Sequence, residues 1–510
     1  PARYETMNKS LPPLIAALLD PERYPDPATS VELIETHASW LLLAGDFVYK
    51  IKKPVVLPFL DYGTLARRQI CCEAEVRLNR RYSPRLYLAV VAIVGPAENP
   101  RIGGTGTVIE FAVKMRRFSE SGRLDRLCRR GQLRAQHVSE LAGTIATFHE
   151  LAAVAAPTSR FGDAVQVLGP VRENFDELPG LLGEGAARER LARLAEWTSA
   201  ESARLQPHLA ARKTAGRIRE CHGDLHLANL VLIDDQITLF DCIEFSEDLR
   251  WIDVASEIAF TYVDLLDHGQ PGLACWLTNE WLARTGDYDA VRVLRFYAVY
   301  RALVRAKVAA IRARQTGVDA AQAVHYLALA ERLIAPPPAR LIITHGVAGC
   351  GKSRASRLLL LRDQAAATLR LRSDVERKRL FGLVANAASG STTNSGIYSA
   401  KAGELTYERL RELTSMLLAA GWSVIVDAAF LERSRRDVFR ELARQAGVAF
   451  FIIAPQAKPT QLRARIRGRL AKGSDASEAT LAVLERQLAR IEVLGAEEIE
   501  HVLQPWNLPL

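Results

Sequence analysis

The eight residues Gly346-Val347-Ala348-Gly349-Cys350-Gly351-Lys352-Ser353 constrain the fold of this chain more than any others. They fit the pattern G-x-x-x-x-G-K-S. They follow an apolar run, Arg340–Thr344, that reads as a buried strand, and they open a helix. The glycines let backbone amides wrap a chain of phosphates, and the helix N-terminus adds a positive dipole end. In that setting Lys352 reaches the β- and γ-phosphates of ATP, and the Ser353 hydroxyl ligates Mg2+. The fold expected around such a loop is a P-loop, parallel-sheet α/β domain. Cys350 sits inside the loop. It is either a small space-filler or a thiol whose oxidation blocks nucleotide binding.

The rest of this half supplies acceptor chemistry. A short strand, Leu369–Leu371, runs into Arg372-Ser373-Asp374, and a carboxylate at a strand end facing the loop activates an acceptor hydroxyl. Arg377 and Arg379 follow as binders of a phosphate on the acceptor. A strand over Ser423–Val426 ends in Asp427, the place for a carboxylate that supports magnesium or its water, and Phe450–Ala454 is a further strand. Residues 384–403 are small and polar, which predicts a loop over the acceptor site. Arg463, Arg465, Arg467 and Arg469 recur, and alternate positions on a helix cannot all face one way. Arg465 and Arg469, four apart, are expected to close on ATP and neutralise charge. Asp475-Ala476-Ser477-Glu478 reads as an N-cap box for the last long helix.

Pro336-Pro337-Pro338 cannot continue a helix and favours a stiff spacer. The expected boundary therefore separates a domain over 1–335 from one over 336–510, in keeping with a chain of 510 residues. In the first half, Cys221-His222-Gly223-Asp224-Leu225-His226-Leu227-Ala228-Asn229 precedes two apolar runs, and the second ends in Asp241. An Asp, an Asn and a second Asp on the loops of one hairpin are what phosphoryl transfer from ATP needs. One carboxylate handles the acceptor hydroxyl, and the Asn and second Asp hold magnesium.

Upstream, Val31–Thr36, Trp40–Leu43 and Phe47–Lys52 read as an antiparallel meander, and Leu86–Val94 and Thr107–Met115 as two further strands. Lys50 and Lys52 alternate with Ile51 and so share a face, where a lysine reaches phosphates. Which of the two does so stays open. Thr64–Arg81 reads as a helix. Within it Glu75 borders an apolar stripe while Glu73 does not, so Glu75 is the preferred partner for the strand lysine. His149 lies on an apolar helix and reads as a core histidine.

His222 to Asn229, followed by Phe240-Asp241-Cys242-Ile243-Glu244, resembles the aminoglycoside phosphotransferase and choline kinase family over roughly residues 30–330. The resemblance implies a protein-kinase-like bilobal fold of α+β class. It implies Asp224 as catalytic base, and Asn229 and Asp241 as magnesium ligands. It further implies that His222 braces the loop, that His226 is structural, and that Arg250 and Asp253 pair. One departure stands out. The region Glu257–Ala335 offers no acidic pocket for a polycation and instead carries Arg301 and Arg305 four apart, either a basic stripe for an anionic substrate or a solvated face. Residues 340–510 resemble the small, AAA-type P-loop kinases related to gluconate kinase, zeta toxins and polynucleotide kinase. Carried over are Gly346 to Ser353, Asp374, Arg377, Asp427 and a lid arginine.

A net charge of +9 suits an anionic partner, with nucleic acid the less favoured one. Seven cysteines without a CxxC pair suggest neither a disulfide framework nor a zinc site. The start Pro-Ala-Arg-Tyr gives no leader, and no apolar run reaches the ~18–20 residues of a membrane span, so a cytoplasmic enzyme is expected. The resulting expectation is a bifunctional kinase that uses ATP and Mg2+ on the hydroxyls of a small, anionic or sugar-like phosphoacceptor. Its rivals are a regulatory ATPase with a sensor kinase-like domain and a nucleic-acid end-processing kinase. The oligomeric state is not legible.

Overall fold

The structure, a computed structural model, describes residues 11–57, 60–385, 387, 389, 396–472 and 477–503. The chain forms two compact units that interleave in sequence. One gathers Pro1–Gln132, Leu151–Gly162 and Gly216–Glu257; the other gathers Leu133–Glu150, Asp163–Ala215 and Ile258–Leu510.

The first unit is built on a six-stranded antiparallel sheet in the order Val31–Glu35, Ser39–Ala44, Phe47–Lys52, Val108–Arg116, Tyr87–Val94 and Arg101–Ile102. Period-two alternation sorts its side chains. Leu42, Ala44, Tyr49 and Ile51 join Ile15 and Leu18 from the N-terminal helical turn on one face. Leu43 and Val48 join Cys72 and Val76 of the helix Leu65–Asn79 on the other. Lys50 and Lys52 fall on this second face, which points them at that helix. The helix starts where the sequence predicts, with the Thr64 hydroxyl accepting the Arg67 N–H at 3.3 Å. Downstream, Leu230–Ile233 and Gln236–Leu239 form a hairpin. Asp234 and Asp235 turn it at φ 49° and 57°, a left-handed region that aspartate tolerates better than most residues.

The second unit contains a four-stranded, all-parallel sheet in the order Thr368–Arg372, Ser423–Asp427, Arg340–Thr344 and Ala449–Ile453. Helices cover parallel strands on both faces, which is why these segments read as unbroken apolar runs. Thr368–Arg372 is an edge strand, and the helix Pro271–Thr285 meets its open side. The Asn279 side chain pairs with that edge as a strand would, accepting from Arg370 N at 2.6 Å and donating to the Thr368 carbonyl at 2.9 Å. On the same helix the Trp276 ring lies 5.0 and 5.2 Å from the Arg357 and Arg370 guanidinium carbons. A Cβ on Gly272 would fall 2.0 Å from the Leu361 carbonyl oxygen, so only glycine permits this approach to the helix Lys352–Leu361. Pro336–Pro338 lies within this unit. His149 is a core residue as expected, 3% exposed and bonded by Trp281 Nε1 at 3.2 Å.

Three expectations are corrected. Arg301 belongs neither to a basic stripe nor to a solvated face: it is buried over the Phe260 ring, while Arg305 bonds the Tyr326 hydroxyl and faces Asp264 at 3.8 Å. Arg250 bonds Glu220 at 3.2 Å, and Asp253 accepts from the Ala255 N–H at the start of the following helix. The last long helix, Leu481–Arg490, is capped by Thr480, whose hydroxyl takes the Val483 N–H. Glu478 instead pairs with Lys378 at 3.0 Å, and Asp475 lies outside the described residues. Part of the loop expected over 384–403, residues 386, 388 and 390–395, also lies outside them, and a helix already begins at Ala400.

Candidate active sites

In the first unit the strand, the helix and the hairpin converge on one carboxylate. Glu75 is fully buried and takes Lys50 Nζ on Oε1 at 2.8 Å and Lys52 Nζ on Oε2 at 2.7 Å. Glu73, by contrast, is exposed and bonds Gln69. The two lysines then diverge. Lys50 reaches Asp241 Oδ1 at 2.5 Å, while Lys52 turns to Glu244 and to the Tyr62 hydroxyl, entirely out of water. Lys50 is therefore the lysine that faces Asp241, and Lys52 fixes Glu75 from behind. Burial opposes charge on all of these groups, but each outweighs it through its partners. Asp241 and Glu75 hold the Lys50 ammonium well above its usual range. Lys50 and Lys52 hold the Glu75 carboxyl below its usual range, and Lys50 does the same to Asp241.

Asp241 stands at φ 64°, an uncommon backbone state for a residue other than glycine, and its N–H donates to the Tyr87 hydroxyl at 2.9 Å. Asp224 and Asn229 occupy the loop before the hairpin. Asn229 Nδ2 donates to the Asp224 carbonyl at 3.0 Å and to its carboxylate at 3.1 Å, and His226 Nε2 lies 3.3 Å from that carboxylate. His222 links the loop to the Asp241 strand through the Phe240 carbonyl at 2.8 Å. Burial pushes its imidazole below the usual value, which favours the neutral ring. Glu257 anchors the loop by accepting the N–H groups of His222 and Gly223 at 2.6 and 3.0 Å. The Asn229 amide oxygen and the Asp241 carboxylate are hard oxygen donors, a set that suits magnesium.

In the second unit Gly346, Gly349 and Gly351 adopt φ of 136°, 81° and 114°. A Cβ at Gly346 would lie 2.8 Å from the Cys350 sulfur, so the loop closes only around glycine there. Lys352 Nζ lies along the loop, donating to the carbonyls of Gly346 and Val347 at 2.7 and 2.9 Å. Ser353 follows in the first turn of the helix. Asp427 ends the central strand and accepts from Ser356 Oγ at 3.2 Å. Ala348, Gly349, Gly351, Lys352, Ser353, Asp374, Arg377 and Asp427 all line one cavity of about 370 Å³. Arg377 stacks 5.1 Å from the Tyr398 ring, whereas Arg379 turns to Glu376 and to the Ala283 carbonyl and does not line the cavity. Arg465 donates to the carbonyls of Gly349 and Cys350 at 3.1 and 3.4 Å. The Arg469 side chain lies outside the described part of the chain.

Several site residues escaped the sequence. Glu244 follows Asp241 by three residues and Glu257 lies 33 residues beyond Asp224, and nothing local marks that either carboxylate turns inward. Tyr398, Arg486 and Gln487 line the cavity beside Lys352, and Gln487 accepts the Ala348 N–H at 2.7 Å. The apolar face of the helix Leu481–Arg490 predicts its packing, but not what its polar edge reaches.

A family model described as the phosphotransferase enzyme family matches residues 122–294, and one described as an AAA domain matches residues 341–494. Two uncharacterized proteins, from Mycobacterium tuberculosis (strain H37Rv) and Mycobacterium bovis, are each 28% identical over 477 residues, spanning 92% of this chain and 93% of theirs. Among solved structures, a choline/ethanolamine kinase family protein from Mesorhizobium loti is 13% identical with a TM-score of 0.40, covering 62% of this chain and 90% of its own. The Mycobacterium tuberculosis APS kinase is 22% identical with a TM-score of 0.23, covering 28% of this chain and 78% of its own. The chain thus carries a phosphotransferase-family domain matched over residues 122–294 and an AAA-type domain matched over residues 341–494, and is an enzyme of the kinase class.

Proposed function

We propose that each domain transfers the γ-phosphate of ATP to a hydroxyl group, the two centres acting as separate kinases on a small anionic or sugar-like acceptor. The observation that carries this reading is that each centre sets a lysine suited to phosphate in one site with a carboxylate suited to an acceptor hydroxyl. Lys50, fixed between Glu75 and Asp241, belongs with Asp224 in the first. Lys352 and Asp374 share one cavity in the second. In the first, the acceptor oxygen attacks the γ-phosphorus as its proton passes to the Asp224 carboxylate. The bond to the β-phosphate oxygen breaks and ADP leaves. Asn229 and Asp241 hold magnesium, as do Ser353 and Asp427 in the second centre. When bound, the ion neutralises the phosphates. Lys50 orients the α- and β-phosphates. In the second centre Asp374 takes the acceptor proton, Lys352 and Arg465 stabilise charge on the transferring group, and Arg377 binds the acceptor. The cationic lining of that cavity, with Arg354, Arg372 and Arg486 beside Arg377, supports an anionic acceptor there.

No helix among the described residues is long and apolar enough to cross a membrane, and the seven cysteines are thiols rather than disulfides. Both facts accord with a cytoplasmic setting, where ATP is abundant and thiols stay reduced. Transfer of labelled phosphate from ATP into a panel of metabolites and oligonucleotides tests the reading with wild type, Asp224→Ala and Lys352→Ala. Each substitution is expected to abolish a different transfer, or half of a coupled one. If Asp224→Ala leaves every product unchanged, the first centre is not catalytic. Release of inorganic phosphate with no labelled acceptor identifies a regulatory ATPase, and labelling confined to oligonucleotide ends identifies a nucleic-acid kinase.

A further inference from the structure

A second cavity, of about 550 Å³, lies within the second unit and shares no lining residue with the P-loop cavity. Its walls come from the helices Val254–Asp267, Val291–Thr316 and Ala321–Ile334, from Pro336 and Pro337, and from Gln364, Ala365 and Ala367 ahead of the edge strand. Its volume falls within the ~300–1,000 Å³ typical of small-molecule sites, and its composition matches theirs too. Leu294, Ala298, Leu329 and Trp422 give buried apolar walls, and two arginines stand among them.

The arginines carry the inference. Arg295 donates to the Gly421 carbonyl at 3.2 Å and lies 5.0 Å from the centre of the Trp422 ring. Among the described residues it makes no ion pair with a carboxylate, and neither does Arg332. Burial pushes the Arg295 guanidinium below its ordinary range, a cost that nearby carboxylates usually offset. A largely buried guanidinium stacked on an indole, with Glu201 acting on it only from beyond ion-pair distance and a second arginine in the same lining, presents a planar apolar surface next to positive charge.

We propose that this cavity is a binding site for a small molecule with a flat apolar body and one anionic group, its body against Trp422 and its anion between Arg295 and Arg332. The bound anion replaces water on Arg295 with a charge-assisted hydrogen bond. Tyr262, which lines the site, donates its hydroxyl to the Ala366 carbonyl at 3.3 Å, and Ala366 and Ala367 lead directly into the strand Thr368–Arg372, which ends just before Ser373 and Asp374. The position is therefore that of an effector rather than a substrate.

The probe is 8-anilinonaphthalene-1-sulfonate, which has a flat apolar body and a single sulfonate. It is titrated by fluorescence into the full chain, with a non-hydrolysable ATP analogue and magnesium present in excess to fill nucleotide sites. One saturable site per chain is expected. Arg295→Met and Arg332→Met should each weaken it, Arg295→Met by about tenfold or more. Ala298→Trp, which fills the cavity, should remove it. Arg332 is exposed, so its variant reports on binding even where the other two disturb folding. The absence of a saturable site in wild type overturns the proposal, as does a site that survives both arginine substitutions unchanged. Equal affinity for the uncharged N-phenyl-1-naphthylamine overturns the anionic part.

Discussion

The Asn279 side chain accepts the backbone N–H of Arg370, so a helix residue completes the edge of the parallel sheet. Asn279 lies within the stretch matched by the phosphotransferase family and Arg370 within that matched by the AAA domain. The second fold thus takes a structural element from the first. An uncovered edge strand is a template for aggregation, and the asparagine amide supplies both the acceptor and the donor that a neighbouring strand would. Asn279→Ala leaves the Arg370 N–H and Thr368 carbonyl without these partners and should cost about 1–3 kcal/mol in urea unfolding. Asn279→Asp should not rescue the loss, because a carboxylate cannot donate to the Thr368 carbonyl. Variants within about 0.5 kcal/mol of wild type would show that water replaces the amide.

Lys50 and Lys52 should separate cleanly when each is replaced by methionine. Lys50 faces Asp241, and its loss leaves Glu75 still paired with Lys52. Lys50→Met should therefore lower phosphotransfer by the first centre by about 10²-fold or more while unfolding changes little. Lys52 is fully buried between Glu75 and Glu244. Removing it leaves the buried Glu244 without its ion pair and Glu75 with Lys50 alone, which typically costs about 3–5 kcal/mol. Lys52→Met should therefore show first as instability in denaturant titration, and the reverse pattern would exchange the two roles.

What the sequence shows of these centres follows from how local each signal is. Gly346 to Ser353 and Asp224 to Asn229 are legible because the residues that act together are adjacent, and chain geometry alone brings them to one loop. The strand pattern is legible for the same reason: alternation places Lys50 and Lys52 on one face. The choice between them is not legible, because it is made by Asp241 and Glu244 on a distant loop. Asn279 gives no signal at all, since an asparagine in a helix shows its purpose only beside the strand edge it pairs with. Arg377 and Arg379 look alike in sequence. Two residues, about 200° around the helix, separate the one that lines the cavity from the one that binds the Ala283 carbonyl.

Stability should fall on acidification in a way traceable to Glu75. Its folded pKa lies below the unfolded carboxylate value of about 4.3, so the unfolded chain binds the proton first. The contribution is complete above the unfolded value and is lost as pH falls through the folded one. Asp241 shifts in the same direction, but its side chain is 45% exposed and water screens its share. Urea unfolding followed from pH 6 to pH 3 should therefore lose stability more steeply in wild type than in Glu75→Gln. Equal slopes would mean that other carboxylates carry the acid transition.

The four arginines of the helix Pro459–Lys472 are not equivalent, and two described ones give a direct contrast. Arg463 pairs with Glu485 at 2.9 Å, on the side away from the phosphate loop's carbonyls, whereas Arg465 holds the carbonyls of Gly349 and Cys350. In the mechanism we propose, a guanidinium on the loop backbone starts beside the nucleotide phosphates, and a small rotation would bring it onto the transferring group. Such a contact strengthens as charge develops, so its loss should appear in kcat more than in KM for ATP. Arg465→Ala is expected to lower kcat at the P-loop centre by about 10–10³-fold. Arg463→Ala, which breaks only an exposed pair, should leave kcat near wild type and stability within about 1 kcal/mol. Both side chains are solvent-accessible, so neither substitution should disturb folding. A fall in kcat for Arg463→Ala equal to that for Arg465→Ala would assign the effect to the helix as a whole rather than to one guanidinium.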